Sequence, residues 1–206
     1  SAITLDEGDV LIGADLTDGA HSVMLFSDAG KALRFDENEV RPMGRTARGV
    51  GGMKIRPEDR IIAMIVANDE GQMVLTATEN GYGKRTPIAE YTMHGRNTMG
   101  MIAIATTERN GKVVAACLVD ENDEVILLTK KGKLVRIPVC DIRICSRATQ
   151  GVKLVNLKDD DLVSVTPVKD QGGDDAEPAP EGDDGEGSED GPEDPSPEET
   201  PSLDDL

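Results

Sequence analysis

Gly44-Arg45-Thr46-Ala47-Arg48-Gly49-Val50 recurs twice further along the chain, as Gly95-Arg96-Asn97-Thr98-Met99-Gly100-Met101 and as Ser146-Arg147-Ala148-Thr149-Gln150-Gly151-Val152. The arginines at 45, 96 and 147 are 51 residues apart each time, and the closing glycines at 49, 100 and 151 keep the same spacing. A fixed period of this size indicates a repeat architecture in which one supersecondary unit is copied and stacked. One copy cannot bury its own apolar face, so stability and function are expected from the array.

Each repeat also contains short apolar runs that are typical of β-strands. They are rich in Val and Ile and are bounded by Gly, Asn, Asp and Pro. None has the length, or the i, i+3, i+4 period, that favours a helix. Gly30-Lys31, Gly83-Lys84 and Gly132-Lys133 are predicted as turns, and the segments 28–30, 79–81 and 130–132 are predicted to supply a glycine with positive φ. The runs predicted as strands are 10–14, 61–66, 113–119, 162–165, 23–26, 73–78, 125–129, 32–35, 134–137, 52–55, 101–104 and 152–155.

Four strands in about 50 residues is the pattern of one blade in a propeller-like array. We therefore expect an all-β fold made of four-stranded blades. The predicted blades are 6–56, 57–107 and 108–157, and 161–168 is a predicted closing strand. Residues 2–5 are predicted to be the last strand of a preceding blade, so we expect an open fragment of about three blades with sequence missing before Ser1.

The negative charge is concentrated in the last part of the chain. Residues 170–206 hold 16 of the 40 acidic residues and none of the 22 basic ones, so they account for −16 of the net charge of −18. Residues 1–168 are therefore the predicted folded domain, and 169–206 are predicted to be a disordered acidic tail. Two interpretations of the tail remain open: a solubilising segment, or a nucleic-acid mimic that competes for basic surface on the folded part.

The usual signatures of an enzyme are missing. His21 and His94 have no repeated partner, and the three cysteines at 117, 140 and 145 have no metal-ligand spacing. A tyrosine beside basic residues, such as Tyr82, has no base or metal to activate it. There is no phosphate-binding loop and no dinucleotide fingerprint. We predict no catalytic residue, no metal site and no cofactor in this chain. Without a signal peptide or an apolar span, a cytosolic protein with reduced thiols is expected.

Basic residues are grouped near the repeated turns, whereas acidic residues favour the other connections, such as 6–9, 58–59 and 159–161. Stacked repeats are expected to align equivalent turns, which would give a positive rim and a negative opposite edge. Such a rim suits a bent polyanion, held through its phosphates without sequence reading. The alternative is that these residues only solvate turns and pair with nearby carboxylates. The candidate phosphate-binding residues are Lys31, Arg34, Arg41, Arg45, Arg48, Lys54, Lys84, Arg85, Arg96, Lys130, Lys131, Lys133, Arg136, Arg143, Arg147 and Lys153.

Several of these segments resemble one known family. Gly81-Tyr82-Gly83-Lys84-Arg85-Thr86, Val23-Met24-Leu25-Phe26-Ser27, and Val40-Arg41-Pro42-Met43-Gly44-Arg45-Thr46-Ala47 are similar to the C-terminal domain of the bacterial DNA gyrase A protein, which belongs to the type IIA topoisomerases. The similarity extends over residues 1 to about 168, and the acidic tail also fits. The family's hallmark box, Gln-Arg-Arg-Gly-Gly-Lys-Gly, belongs to the first blade and does not occur in this chain.

The resemblance implies a six-bladed β-pinwheel, of which this chain would carry about three blades. It further implies non-sequence-specific wrapping of duplex DNA within an A2B2 assembly, which uses ATP and Mg bound by the gyrase B protein to introduce negative supercoils. The three motifs match the position of the hallmark box in later blades. Arg45, Arg96 and Arg147 match its first arginine and Arg48 its lysine, whereas Met99 and Gln150 lack that charge. The catalytic tyrosine lies in another domain, so this chain alone is expected to be non-catalytic.

Two other functions are kept open. The first is the equivalent domain of topoisomerase IV, although the Tyr82-to-Arg85 run and the long acidic tail favour gyrase. The second is a propeller-like module that binds proteins, in which the pattern of charge is incidental. Binding to duplex DNA that weakens steeply with salt would separate the two DNA-binding functions from the protein-binding module.

Overall fold

The computed structural model describes residues 3–169, and they form an all-β fold, as predicted. Three single-turn 3-10 segments, Glu37–Glu39, Ile88–Glu90 and Val139–Asp141, recur at the 51-residue step. In this range no helix is long and apolar enough to cross a membrane. The strands are β1 (Ser22–Ser27), β2 (Lys31–Asp36), β3 (Ile61–Ala67), β4 (Met73–Thr78), β5 (Tyr82–Pro87), β6 (Met101–Ile102), β7 (Val113–Val119), β8 (Glu124–Thr129), β9 (Leu134–Pro138), β10 (Val152–Lys153) and β11 (Leu162–Val168).

The strands form successive antiparallel sheets, each built around one hairpin. The first has the order β3-β1-β2-β6, the second β10-β5-β4-β7, and the third β11-β8-β9. In the first two sheets the first hairpin strand pairs with a strand of the following repeat, as in Val23↔Val66 and Leu75↔Cys117. The second hairpin strand pairs with a segment that follows the next motif, as in Ala32↔Met101 and Gly83↔Val152.

The sheets therefore do not coincide with contiguous stretches of sequence. The first sheet takes its strands from 22–36, 61–67 and 101–102, which span two of the predicted blade ranges. The boundaries at 56, 107 and 157 describe the repeat in the sequence and stay predictions. In the structure, each of the first two sheets takes strands from two neighbouring repeats. The predicted tail lies outside the described residues, apart from Lys169.

Four local predictions were wrong. Of the strand predicted at residues 2–5, the described residues 3–5 are not a strand. Residues 10–14 are not a strand, because the equivalent strands β3, β7 and β11 each pair with the hairpin of the repeat before, and residues 3–9 form no such hairpin. Gly83-Lys84 is not a turn but part of β5; the turn glycine is Gly81, with φ of +77°. The fourth run is short, since only 101–102 and 152–153 are strands and Met53 makes an isolated bridge.

The core lies between successive sheets. Met24, Phe26 and Ile65 of the first sheet pack with Val74 and Tyr91 of the second repeat. The Phe26 and Tyr91 rings meet edge to face, with centroids 6.0 Å apart. Val74 and its neighbour Leu75 face different clusters, as alternation along a strand requires. The second cluster joins the second sheet to the third and consists of Leu75, Ala77, Val119, Val125, Leu127, Val139, Ile142, Val155, Leu162 and Val165.

Candidate nucleic-acid interface

The arginine-containing motif of each repeat lies beside the segment that follows the motif of the repeat before. The N–H of Lys54 donates to Thr98 O at 2.9 Å, and the N–H of Ala105 donates to Thr149 O at 3.0 Å, one repeat further on. The N–H of Thr4 makes a similar, longer contact to Ala47 O at 3.4 Å. We call the motif edge the loops 44–50, 95–101 and 146–152 with the segments bonded to them. Equivalent turns are therefore aligned along one edge, as the repeat predicted.

Arg96 and Arg147 fasten the motif edge. Arg96 donates from Nη1 to Gly51 O at 2.6 Å and from Nε to Glu39 O at 3.1 Å. Arg147 donates from Nη1 to Ile102 O at 3.0 Å, and its guanidinium lies 6.0 Å from the centroid of the Tyr91 ring. The backbone N–H groups of both arginines donate to carboxylates at equivalent positions, Glu39 and Glu90. The motif arginines of the second and third repeats are thus partly engaged in holding the repeats together.

The closing glycines allow this close approach. Gly100 and Gly151 have positive φ, and a Cβ on either would lie 2.3 Å from Ala32 O or 2.6 Å from Gly83 O. Gly49 also has positive φ, but a Cβ there would meet nothing within 4 Å. Only glycine fits the second and third positions without moving the neighbouring strand.

The hairpin turns reach the same edge. Lys31 is the cross-strand partner of Ile102, whose carbonyl accepts the bond from Arg147. Lys31, Lys54 and Arg56 line a single groove of about 240 Å³. Cations from the hairpin turn and from the motif segment are therefore close together. The sequence pattern had indicated only that basic residues are grouped near the repeated turns.

Arg34 and Arg85 were predicted on the rim, and the structure places both inside the molecule. They occupy equivalent positions in β2 and β5, and each pairs with a glutamate 36 residues further on, Glu70 and Glu121. Their remaining N–H groups bond Ser22 Oγ or main-chain oxygens of later segments. A buried guanidinium with these partners stabilises the fold and does not face a ligand.

Lys84 is also buried, which is a further correction to the predicted set. Its side chain is 0% exposed, and its Nζ donates to Ser146 O at 2.6 Å and Arg147 O at 2.7 Å. Burial lowers the pKa of the Lys84 ammonium to about 8. This residue therefore ties β5 to the third motif and is not part of a surface.

The predicted separation of positive and negative edges is wrong in several places, because many of the predicted cations pair with acidic residues. For Lys130 and Lys131 the cause is the pairing of the hairpin with the strand that follows, which brings the acidic segment before that strand against the hairpin turn. The N–H of Lys130, for example, donates to Asp161 O at 2.8 Å. The contacts are Arg48 with Asp6 at 2.8 Å, Lys130 with Asp161 at 3.5 Å, Arg136 with Glu124, and Lys131 Nζ with Asp159 O.

A smaller set of cations remains exposed or half-buried. The sequence analysis missed several of them, among them Arg56, which shares the groove with Lys31, and Arg109, which lies over the Tyr82 ring. Both residues lie in loops next to the motif edge, and that position in the repeat could have identified them from the sequence. Within residues 3–169, the predicted residues that have no ion pair and no side-chain hydrogen bond are Lys31, Arg41, Arg45, Lys54, Lys133, Arg143 and Lys153.

The other chemical groups have ordinary environments. Asp18, His21 and Glu37 place three ligand-type atoms within 4.8 Å of one another, a grouping that is common at protein surfaces without an ion, and His21 Nδ1 lies 2.7 Å from Asp18 Oδ1. Hydrogen bonds from the Thr17 hydroxyl and the His21 N–H lower the pKa of Glu37. Burial raises the pKa of Cys117 to about 12, so its thiol is unreactive.

The stacked sheets and the motif edge define a class of protein: a propeller-like repeat array that presents equivalent charged loops along one edge. The chain belongs to the DNA gyrase C-terminal domain, beta-propeller family, which matches residues 21–68, 72–119 and 123–169. Each matched segment contains one hairpin and the first strand of the next repeat, which is the unit that pairs in the sheets.

Known proteins are similar over most of the described chain. The DNA gyrase A protein of Klebsiella oxytoca is 53% identical over 162 residues, which cover 79% of this chain and 18% of that protein. The solved C-terminal domain of a DNA topoisomerase IV has a TM-score of 0.77 and 27% identity, and the match covers 82% of this chain and 53% of that domain. A solved DNA gyrase A C-terminal domain has a TM-score of 0.74 and 28% identity, with 81% and 57% covered. The chain spans about a fifth of the length of the curated relatives it matches, between 18% and 23%.

Proposed function

We propose that this chain binds duplex DNA without sequence specificity and bends it along the motif edge. The observation that carries the proposal is the alignment of successive motif loops by equivalent hydrogen bonds, Lys54 N–H to Thr98 O and Ala105 N–H to Thr149 O. This alignment brings the motif loops, and the cations exposed in the first and third repeats, to one edge instead of scattering them. A charged, rigid edge binds phosphates and positions a duplex without reading its bases.

Bending the duplex requires contacts at several steps. Smooth bending of 20–30 base pairs by 40–90° costs on the order of 1–6 kcal/mol, which a single cluster of cations does not offset. The exposed Arg41, Arg45 and Lys54 of the first repeat, with Arg143 and Lys153 of the third, supply contacts at both ends of the described edge. Arg96 and Arg147, the motif arginines of the second and third repeats, donate to main-chain oxygens but keep their positive charge, which also attracts the duplex.

In the whole protein, this domain would serve a DNA gyrase of A2B2 composition in the bacterial cytoplasm. The wrapped segment would be delivered to the strand-passage domains of the gyrase A protein, and the gyrase B protein would supply ATP hydrolysis with Mg. The 53% identity with a gyrase A protein supports this assignment. The solved C-terminal domains of topoisomerase IV and gyrase A are equally distant, at 27% and 28% identity, so gyrase is favoured on the curated gyrase A relatives at 41–53% identity.

The test is the affinity of the full chain for a short duplex, measured by fluorescence anisotropy between about 50 and 200 mM salt. We expect log K to fall linearly with log salt, with a slope of about −0.9 for each phosphate neutralised, and equal affinity for duplexes of unrelated sequence. Replacing Arg41→Glu and Arg45→Glu together should weaken binding about tenfold or more and leave the melting temperature almost unchanged, since both side chains are exposed and neither forms an ion pair within residues 3–169.

Bending has its own readout. Nicked circles ligated in the presence of the chain should trap writhe of one sign. Absence of salt-dependent duplex binding would contradict the proposal and favour a protein-binding propeller. Binding without trapped writhe would retain DNA binding and remove the bending.

A further inference from the structure

We infer that Arg109, Tyr82 and Lys153 form a phosphate-binding clamp at the junction of the second and third repeats, where one backbone phosphate of the duplex bridges the two cations. The inference rests on the proposed function and deepens it, because it adds Arg109 to the contact residues and gives Tyr82 a role. The clamp lies next to the motif edge, since Lys153 directly follows the third motif.

One aromatic ring holds both cations. The guanidinium carbon of Arg109 lies 4.9 Å from the centroid of the Tyr82 ring, and Arg109 Nε donates to the phenol oxygen at 3.4 Å. Lys153 Nζ lies 5.7 Å from the same centroid. Tyr82 and Lys153 are cross-strand partners of β5 and β10, so the sheet fixes their separation. The ring attracts both cations through its π face.

The backbone that carries Arg109 is fixed on both sides. The Asn80 side chain donates to Glu108 O at 3.2 Å and to Arg109 O at 3.1 Å. Asn110 is fully buried and donates to Ala105 O at 2.9 Å and to Gln150 O at 3.2 Å. The loop is therefore tied to the hairpin turn and to the third motif before any ligand arrives. This pre-organisation reduces the entropy lost on binding.

The charges of the two cations are not neutralised by carboxylates of the described residues. Among residues 3–169, neither Arg109 nor Lys153 forms an ion pair with a carboxylate, whereas Lys112 of the same loop pairs with Asp28 at 2.8 Å. The hydrogen bond from Arg109, with the charges of Lys153 and Arg109, lowers the pKa of the Tyr82 phenol despite the opposing effect of burial. A phosphate that contacts both cations would neutralise these two like charges. The planar guanidinium presents paired N–H donors to its oxygens.

The experiment measures affinity of the full chain for a 30-base-pair duplex across the same salt range. Arg109→Gln and Lys153→Gln should each weaken binding about three- to tenfold and make the salt slope shallower by about one. Tyr82→Phe keeps the ring and should bind within about twofold of the original chain, whereas Tyr82→Ala should weaken binding as much as the loss of one cation. Lys112→Gln, in the same loop but with its charge already paired, is the matched control and should change affinity less than about twofold.

The possible failures are distinct. If the original chain binds the duplex and both Gln variants bind equally well, the clamp is wrong and the proposed function stands. If the original chain does not bind the duplex, the proposed function fails, and inorganic tripolyphosphate then tests the clamp through the NMR signal of Arg109 Nε. A saturable shift in that signal, lost in Lys153→Gln, supports an anion site, and no shift overturns it.

Discussion

The guanidinium groups of Arg34, Arg85, Arg96 and Arg147 donate to main-chain oxygens that belong to neighbouring repeats. Arginine suits this role because five N–H donors on one plane reach several acceptors at once. The same residue type is left exposed at Arg41, Arg45 and Arg143, where it has no partner within residues 3–169. At the scale of single residues, some arginines therefore hold neighbouring repeats together, and other arginines present positive charge to solvent.

Replacing Arg147→Met tests the fastening role. We expect the free energy of unfolding to fall by about 1–3 kcal/mol, because Ile102 O loses its donor and the Tyr91 ring loses its cation. Urea unfolding followed by circular dichroism measures the loss. Arg45→Met, the same change at the equivalent motif position, should stay within about 0.5 kcal/mol of the original chain. Equal losses in the two variants would contradict the role assigned to Arg147.

The sequence allowed part of this to be predicted. The constant step between Arg45, Arg96 and Arg147 correctly predicted that their motifs are equivalent in space. It did not distinguish Lys84 from a surface residue, because Gly83-Lys84 resembled the Gly30-Lys31 turn. The sequence also predicted a turn glycine at Gly81, in line with Gly30 and Gly132 at the 51-residue step, and preferring that turn to Gly83-Lys84 would have moved Lys84 into a strand.

At the scale of elements, each hairpin of the first two sheets is completed by two strands from the repeat that follows it. β1 pairs with β3 and β2 with β6, and the second sheet repeats the arrangement with β7 and β10. Local composition predicted nearly every strand, since alternation and turn glycines are local signals. It did not predict which strands pair, because pairing between distant segments depends on packing. That missing pairing is also why the acidic turns were assigned to the wrong edge.

Gly100→Ala tests how tightly the motif packs on β2. The added Cβ would lie 2.3 Å from Ala32 O, and alanine would be strained at the φ of +65°. We therefore expect the free energy of unfolding to fall by several kcal/mol, whereas strained backbone alone costs roughly 1 kcal/mol. Gly49→Ala shares the positive φ without the contact and should lose only the smaller amount. Thermal melting of both variants gives the comparison, and similar melting temperatures would refute the packing argument.

At the scale of the whole molecule, the body and the acidic tail carry very different charge. Residues 170–206 contribute −16 to a net charge of −18, so residues 1–169 are close to neutral. Within the described part of the body, many cations are already paired, as Arg48 is with Asp6 and Lys169 with Asp120 and Asp123. The remaining exposed cations are few enough for a polyanionic segment of the same chain to compete for them.

Removing residues 170–206 should tighten DNA binding several-fold at low salt. The difference should disappear as salt rises, because screening weakens both the tail and the DNA interaction. Anisotropy with the full chain and with a chain ending at Lys169 measures this, and a Gly/Ser segment of equal length in place of the tail controls for bulk. Unchanged affinity would make the tail a solubility device.

The sharing of strands between repeats also has a consequence for synthesis. The β1–β2 hairpin ends at Asp36, but the strand that completes its sheet ends at Ile102, 66 residues later. At 5–20 residues per second, a ribosome needs on the order of 3–13 seconds to deliver them. During that interval the Ala32 edge of the nascent hairpin is open, and an open edge pairs readily with other chains. Chaperone contact with the emerging polypeptide is therefore most valuable between these two points of translation.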